Sequence, residues 1–422
     1  MRSALWRNGD FLRLWGAQSV SQLGSQVSQL ALPLVAVIVL HASAFRVALL
    51  GAIEMLPFLL FALPIGVWVD RVARRPVLIA ADVGRALALG SIPLVAAVGH
   101  VTIGQLYAVG FAAGTLTVLF DVAYQSYLPS LVDAEQLVEG NSKLELSRSG
   151  AQIGGPGLGG VLVDAITAPY AIAVDAVSFA WSALLLVRIR TREALRERTE
   201  QPSLRREIAE GLRYLLGDPR WRAITCYIAT FNLGTGMTGP LGLVYAVRRL
   251  GLSPAQLGLV FTLGNLGWLA GAVVARRVTV RLGVGRTMAL GGALGGGPLL
   301  IWPLAPPGHA VPYLVASTLL VSLGIVLFNI PGISMYQTLV PARLLGRMNA
   351  SRRWIVWGVI PLGSLIGGAL ASAVGVRTTL FIGGGLSTVA FGFLLSKPLL
   401  STATVTPDAG ASGDGGVAAP AQ

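Results

Sequence analysis

The first apolar segment carries a stripe of polar side chains that could bind an organic molecule. Gln18, Gln22, Ser25 and Gln29 recur at helical spacing, which places them on one face of a helix. Amide and hydroxyl groups are costly in hydrocarbon unless they meet protein or water, so this face should be turned away from lipid. The spacing predicts a substrate-facing stripe, and hydrogen bonding between helices is the structural alternative.

Acidic residues that could carry a proton are confined to the first part of the chain. No Asp or Glu occurs between Asp218 and Asp408, so a proton-carrying carboxylate must precede them. Glu54 lies in an apolar segment without a counter-ion near it in sequence, and such a group can bind and release a proton or form a structural hydrogen bond. Asp121 is the competing candidate.

Three further charged residues in apolar segments are expected to be structural. Asp82 and Arg85 lie about one helical turn apart and should neutralise each other. Asp175 lies alone in a later apolar segment. These residues predict an internal ion pair and a separate buried acid.

Metal and nucleotide chemistry are not indicated. The three histidines, His41, His100 and His309, fall in different short loops and cannot form a pair on one helix. The single cysteine, Cys226, excludes an internal disulfide and a cysteine metal cage, and the phosphate-binding pattern GxxxxGK[ST] does not occur. We expect no cofactor and no metal, with a membrane-embedded enzyme or a non-transporting membrane protein as less favoured alternatives.

Membrane helices must position these side chains. The chain is 54% hydrophobic and only 12% charged, with a mean hydropathy of +0.70, which is typical of a surface that meets a lipid bilayer. Twelve apolar segments of about 20 residues, the length that crosses a bilayer, fit between positions 12 and 396. The predicted class is an all-α integral membrane protein with twelve transmembrane helices.

An internal repeat divides these helices into two sets of six. Residues 118–162 recur without a gap as residues 326–370. Asn141 recurs as Asn349, and the pair Gly159-Gly160 recurs as Gly367-Gly368. The repeat predicts two pseudo-symmetric bundles, residues 1–187 and 222–398, with a substrate site between them.

The net charge of +13 is distributed as in a membrane protein with cytoplasmic termini. On that topology the external loops hold few basic residues, namely Arg46, Arg248, Arg249 and Arg377. Residues 188–221 alternate Arg with Glu and predict a cytoplasmic linker, whereas residues 399–422 predict a disordered cytoplasmic tail. We expect a monomeric, multi-pass protein of a bacterial cytoplasmic membrane that binds no nucleic acid.

The loop after the second apolar segment carries the most specific motif. It reads Gly66-Val-Trp-Val-Asp70-Arg71-Val-Ala-Arg74-Arg75. This resembles the signature G-x-x-x-D-[R/K]-x-G-[R/K]-[R/K] of the major facilitator superfamily, with Ala73 replacing the second glycine. The alternative is that the arginines only anchor the loop in the cytoplasm.

The fifth apolar segment carries a second motif, which runs from Ala151 through Gly155-Pro156 to Gly159-Gly160. It is similar to the G-x-x-x-G-P-x-x-G-G of superfamily antiporters that exchange drugs for protons. Pro156 removes a helix donor, and the glycines allow close packing. Two cytoplasmic runs, residues 129–137 and 210–219, resemble the branch that includes enterobactin exporters and macrolide efflux proteins.

The resemblance implies a conformational latch at the cytoplasmic end. Asp70 would lie near the start of the eleventh helix, around Ser351–Trp354, where a helix N-terminus favours a carboxylate. With Arg74 and Asp121 it would hold the two halves together in the outward-facing state. The remaining motif residues, Gly66, Arg71 and Arg75, belong to the same loop.

The resemblance also implies that helices one, four, seven and ten line the cavity. Four residues then join the amide stripe as substrate-binding candidates: Tyr227, Asn232, Asn329 and Tyr336. A cavity of amides and aromatics with few charges suits a small amphiphilic molecule, such as a drug, a macrolide or a siderophore. The expected function is export of that molecule in exchange for protons, and the alternatives are proton-coupled uptake and lipid flipping.

Overall fold

The computed structural model describes residues 4–69, 71–191, 213–214, 216–340 and 342–401, without the side chains of positions 63, 67, 134 and 342–357. Asp70, most of the predicted linker and nearly all of the predicted tail lie outside the described residues. Within them the chain is almost entirely helical. The helices of the first half are α1 Gly9–Leu34, α2 Ala44–Val69, α3 Arg74–Ala97, α4 Ile103–Tyr127, α5 Leu137–Ile166 and α6 Ala168–Val187. Those of the second half are α7 Pro219–Arg248, α8 Pro254–Leu282, α9 Val284–Gly296, α10 Ala310–Leu339, α11 Ala342–Val374 and α12 Val376–Val389.

Local sequence explains where several helices start. The Asn8 side chain accepts hydrogen bonds from the first backbone amides of α1, and Asp218 caps α7 in the same way. Helix α8 begins with a reciprocal capping box between Ser253 and Gln256. Three helices continue with altered winding: α1 as a π-helical turn at Val35–Val39, and α9 and α12 as 3-10 segments at Gly297–Leu304 and Ala390–Leu395.

Length and apolar composition identify membrane-crossing helices directly. In the part of the chain that the structure describes, nine helices are long and apolar enough to cross a bilayer. They belong to α1–α4, α6, α8–α10 and α12. Helices α9 and α12 reach this length together with their 3-10 continuations. The predicted all-α membrane class is confirmed, whereas the number of twelve spans stays a prediction.

The helices pack as two bundles with the same pattern of neighbours. In the first half α1 packs on α5 and α6, α3 packs on α4 and α6, and α2 packs on α4. The second half repeats this pattern, with α7 on α11 and α12, α9 on α10 and α12, and α8 on α10. Two major contacts join the halves, α5 with α8 and α2 with α11. The pseudo-symmetry that relates the halves turns one contact into the other, because α5 corresponds to α11 and α2 to α8.

The buried apolar residues form three clusters whose placement differs between the two ends of the molecule. We call the end where α1 starts and α12 finishes the terminal end, and the opposite end the distal end. At the distal end one cluster includes residues from both halves, among them Leu34, Leu50, Leu241 and Leu257. At the terminal end each half has a cluster of its own. The described apolar core is therefore shared at one end and divided at the other.

Candidate transport site

Helix α1 presents a wide polar sector with a buried part and a more open part. Gln18, Ser21 and Ser28 are buried on the side where Gly24 meets α6, and Gln18 accepts a hydrogen bond of 3.1 Å from the Gln22 amide. The predicted stripe continues with Gln22 and Ser25, which are half-buried, and with Gln29, which is exposed. The structure keeps the stripe on one face but makes Gln18 an internal residue rather than an open one.

The candidates in the second half differ in their accessibility. Tyr227 is only 2% exposed, and its ring stacks on Phe231 and lies 4.5 Å from the centre of the Phe328 ring. Asn232, Asn329 and Tyr336 are half-buried, and the Tyr336 ring meets Trp221 edge to face. In this conformation Tyr227 belongs to an aromatic core, and the other three keep part of their surface open.

Glu54 lies on α2 at a place where this helix packs tightly against α4. Gly110 and Gly114 leave room for it: a Cβ at Gly114 would lie 2.5 Å from the Glu54 carbonyl oxygen. Glu54 is half-buried as a residue, and none of the described residues places an ion or a hydrogen bond beside its carboxyl. The described surroundings of Glu54 therefore contain no fixed partner for its carboxyl.

The glycines of the α5 motif place that helix between α1 and α8. Gly155 and Gly159 pack on α1 at Gln26 and Val27, whereas Gly160 packs on the first turn of α8. A Cβ at Gly258 of α8 would lie only 2.5 Å from the Pro156 carbonyl oxygen. These contacts bring the backbones of the two halves together, as small residues allow in membrane proteins.

Pro156 adds a polar bond to this contact. Since proline has no N–H, the carbonyl of Gln152 one turn earlier has no donor within its own helix. The Asn265 side-chain amide, from α8 in the other half, donates to that carbonyl at 2.7 Å. The sequence showed the proline that frees the acceptor, but only the fold shows which side chain supplies the donor.

Further bonds join the halves at the distal end. The Arg248 guanidinium donates to the carbonyl oxygens of Ala42 at 2.7 Å and Val37 at 3.3 Å. The Asp164 carboxylate accepts from the backbone amide of Ala255, in the first turn of α8, at 3.1 Å. A carboxylate at a helix N-terminus is favoured by the helix dipole. Sequence reasoning missed both residues, because neither lies in a recognised motif.

The predicted latch is described only in part. Asp70 lies outside the described residues, as do the side chains of Ser351–Trp354. Arg75 donates to the carbonyl oxygens of Leu186, at 3.0 Å, and Val187, so it caps the C-terminus of α6 within its own half.

The other latch residues lie along the same end of the first half. Arg74 is buried, whereas Arg71 is exposed and Gly66 is half-buried. Asp121 is half-buried and acts electrostatically on Tyr124 and Arg148.

Three charged residues that the sequence separated lie together in the structure. Asp82 and Arg85 form the expected ion pair inside the first half. Asp175 is not a separate acid, because it lies within electrostatic range of both. All three are nearly inaccessible to solvent.

Proteins of similar sequence include named transporters. The chain is 28% identical over 421 residues to the multidrug efflux pump Tap of Mycobacterium tuberculosis (strain ATCC 25618 / H37Rv), covering 96% of each chain. It is 27% identical to the Tap of Mycolicibacterium fortuitum, covering 88% of this chain and 92% of that protein. It is also 27% identical to the uncharacterized MFS-type transporter YfiS of Bacillus subtilis (strain 168), covering 91% and 92%.

Solved structures of similar shape are transporters as well. A bacterial homologue of the iron transporter ferroportin in its inward-facing state superposes with a TM-score of 0.74 and 18% identity, covering 94% of this chain and 100% of that one. The outward-facing state superposes with a TM-score of 0.57 and 21% identity, covering 91% and 98%. The family model of the Major Facilitator Superfamily matches residues 14–360. With these two bundles and this match over most of its length, the chain belongs to the Major Facilitator Superfamily.

Proposed function

We propose that this multi-pass membrane transporter exports a small amphiphilic molecule, of the drug, macrolide or siderophore type, in exchange for protons. The direction of transport rests on the Gly-Pro motif of α5 and on the likeness to proteins named multidrug efflux pumps. The protein works as a monomer in the cytoplasmic membrane of a bacterium. Its two bundles, residues 1–187 and 222–398, move about the cytoplasmic linker 188–221.

The observation that carries alternating access is the difference between the two ends. The distal end has one apolar core common to both halves, and Arg248 and Asp164 bond across it. The terminal end has two separate cores as far as the described side chains go. With both termini in the cytoplasm, as the distribution of arginines favours, this conformation is closed to the outside and inward-facing. The higher TM-score to the inward-facing structure than to the outward-facing one supports the same assignment.

Glu54 is the proposed proton carrier. A carboxyl that has no fixed partner among the described residues can alternate between a protonated and a charged form, whereas an acid with a permanent counter-ion stays charged. Every acid of the transmembrane region lies in the first half, so the second half cannot supply a substitute. Asp121 is the alternative carrier.

Substrate binding is assigned to the open part of the α1 sector and to the half-buried residues of the second half. Gln22, Ser25 and Gln29 offer donors and acceptors from one side, and Asn232, Asn329 and Tyr336 offer them from the other. Each neutral hydrogen bond contributes about 1 kcal/mol, so such a site selects by shape and polarity rather than by one dominant contact. The Asp70, Arg74 and Asp121 latch would close the cytoplasmic end once substrate is released outside.

Transport in vesicles tests the proposal. Purified protein in liposomes with an imposed pH gradient should concentrate ethidium against its gradient, and a protonophore should abolish this. Glu54→Gln should lose the concentration but keep downhill equilibration, because a neutral amide cannot cycle a proton. The matched control, Glu135→Gln, alters an exposed carboxyl and should behave as wild type.

The same experiment separates the alternatives. If Glu54→Gln concentrates ethidium as wild type does, Glu54 is structural and Asp121 becomes the candidate. If ethidium follows protons in the same direction, the protein is a symporter and the assignment of export is wrong.

A further inference from the structure

A buried cluster behind α1 joins three helices of the first half through charged and hydroxyl groups. Arg85 of α3 pairs with Asp82, and its guanidinium lies between the rings of Phe120 at 4.4 Å and Phe179 at 4.0 Å. Asp175 of α6 accepts a hydrogen bond of 3.0 Å from Ser178. Its carboxyl lies against α1, since a Cβ at Gly24 would come within 2.6 Å of the Asp175 Oδ1.

The charges of this cluster do not balance when both acids are ionised. Two carboxylates face one guanidinium, and in the described residues no other charged group acts on either carboxyl. Helix α1 contributes Ser28 and Gly24 to the cluster, and α4 contributes the apolar Phe120. An uncompensated charge in such surroundings is costly, so the cluster favours the uptake of one proton.

Several polar atoms around the cluster also lack a well-formed hydrogen bond. Among the described residues, Asp82 Oδ2, Arg85 Nε, Ser182 Oγ and Ser28 Oγ are buried without a hydrogen bond of good geometry, although the Ser182 hydroxyl lies beside Asp82 and the Ser28 hydroxyl beside Asp175. Asp82 is 0% exposed and Ser182 is 0% exposed. Buried atoms of this kind are normally satisfied by a proton or by internal water. A proton added at the Asp82 Oδ2 would make this oxygen a donor, with the neighbouring Ser182 hydroxyl as its acceptor.

Helix α1 connects the cluster with the amide stripe. Gly24 and Ser28 of α1 lie against Asp175, and the stripe residues Gln22, Ser25 and Gln29 belong to the same helix. A change of charge at Asp175 would therefore act on the helix that carries the proposed substrate-binding residues.

From this geometry we infer that Asp82, Arg85 and Asp175 form a second proton-binding site, which gains and loses one proton in each transport cycle. The inference rests on the proposed proton exchange and adds a stoichiometry to it. Glu54 is the obligatory first site, without which export is not coupled to protons, and the second site adds one proton, so two protons enter for each molecule exported. The sequence alone separated these residues into a neutral pair and a lone acid.

Infrared spectroscopy of the purified protein tests the site without any substrate. In the Glu54→Gln variant near neutral pH, one protonated carboxyl should remain, and its carbonyl band should decrease at alkaline pH. Adding either Asp175→Asn or Asp82→Asn should remove this band, because the remaining carboxylate then balances Arg85. Having two such variants guards against the misfolding of one. Ser178→Ala, which keeps both acids, should retain the band. A band that persists in both Asn variants, or that does not respond to pH, would overturn the inference.

The steady-state gradient tests the stoichiometry. With the membrane potential held at zero by valinomycin and equal potassium, a tenfold proton gradient can support at most about a 100-fold ethidium gradient for two protons, and about a 10-fold gradient for one. Wild type should follow the two-proton limit and Asp175→Asn the one-proton limit. A one-proton limit in wild type overturns the second site but leaves export intact. Absence of transport in wild type contradicts the proposed function, while the infrared band still decides whether the cluster binds a proton.

Discussion

Helices α5 and α11 occupy equivalent places in the two halves, and they share their packing but not their chemistry. Gly159 and Gly160 of α5 meet α1 and α8, and their repeat partners Gly367 and Gly368 meet α7 and α2. The residue that follows one turn later differs: Asp164 bonds to the other half, whereas its partner in the repeat, Ser372, donates to a carbonyl of its own helix. Close approach is thus a property of both copies, whereas at this position only the first copy bonds to the other half within the described residues.

Prolines show the same contrast. Pro156 frees the Gln152 carbonyl, which receives a donor from Asn265 in the other half. Pro240 of α7 frees the Gly236 carbonyl, which accepts from Ser364 at 3.1 Å, and Ser364 is the repeat partner of Pro156. Both orphaned acceptors are satisfied, but only the first bond must respond when the halves move.

The largest difference between α5 and α11 should appear when alanine replaces Gly160 or its repeat partner Gly368. A Cβ at Gly160 would meet backbone atoms of α8, including the Gly258 Cα at 2.9 Å, whereas a Cβ at Gly368 would first meet the Ala48 Cβ at 2.8 Å. Because a Cβ at Gly160 would lie 2.3 Å from the Pro254 carbonyl oxygen, closer than any contact at Gly368, Gly160→Ala should be the more destabilising, by up to about 3 kcal/mol, and should lose most export. Thermal unfolding in detergent and efflux in cells measure the two effects.

The control for this comparison lies in the same motif. Gly154 of α5 is exposed, and a Cβ there would have no atom within 4 Å. Gly154→Ala should therefore be neutral or slightly stabilising, since Ala favours a helix over Gly by about 1 kcal/mol. Equal thermal stabilities for the variants at Gly160, Gly368 and Gly154 would contradict the prediction that the close contact of Gly160 with the α8 backbone determines the stability of the protein.

Removing each side-chain donor should sharpen the contrast between the prolines. Asn265→Ala leaves the Gln152 carbonyl without a donor and should cost about 1 to 2 kcal/mol. Pro156→Ala in the same protein should restore that loss, because the new backbone N–H can donate to Gln152. Double-mutant analysis of unfolding measures this coupling.

Ser364→Ala is the matched change in the second half. It should lower stability by a similar amount, yet leave the separation of the halves unchanged. Spin-label distances across the terminal end should shift for Asn265→Ala and not for Ser364→Ala. Strictly additive effects of Pro156→Ala and Asn265→Ala would contradict the assigned hydrogen bond.

The sequence predicts what depends on periodicity and repetition, and much less of what depends on partners distant in the chain. The two bundles, the polar face of α1 and the close packing at Gly159-Gly160 follow from spacing and from the repeat. The burial of Tyr227, the approach of Asp175 to Arg85 and the donor from Asn265 depend on which helices meet, and no local pattern encodes that. Helical spacing predicts the pairing of Asp82 with Arg85 on one helix, but it does not predict that Asp175 of another helix lies beside them.

The smallest expected effect distinguishes the turns that follow α5 and α11. Thr167 and its repeat partner Gly375 have nearly the same backbone angles, φ 69° and ψ 159° against φ 85° and ψ 156°, and each carbonyl accepts from the amide four residues later. This region is accessible to glycine but strained for threonine, by about 1 to 3 kcal/mol. Thr167→Gly should therefore stabilise the protein by about 1 kcal/mol after the entropy of glycine in the unfolded chain is subtracted, and Gly375→Thr should destabilise it by about 2 kcal/mol. Thermal unfolding of both variants measures the pair, with Thr167→Ser as a control that keeps the strain. Since neither residue forms a hydrogen bond across the halves within the described part of the chain, export per folded molecule should stay at the wild-type rate. A lower rate in Thr167→Gly would mean that the strained turn takes part in the motion of the halves.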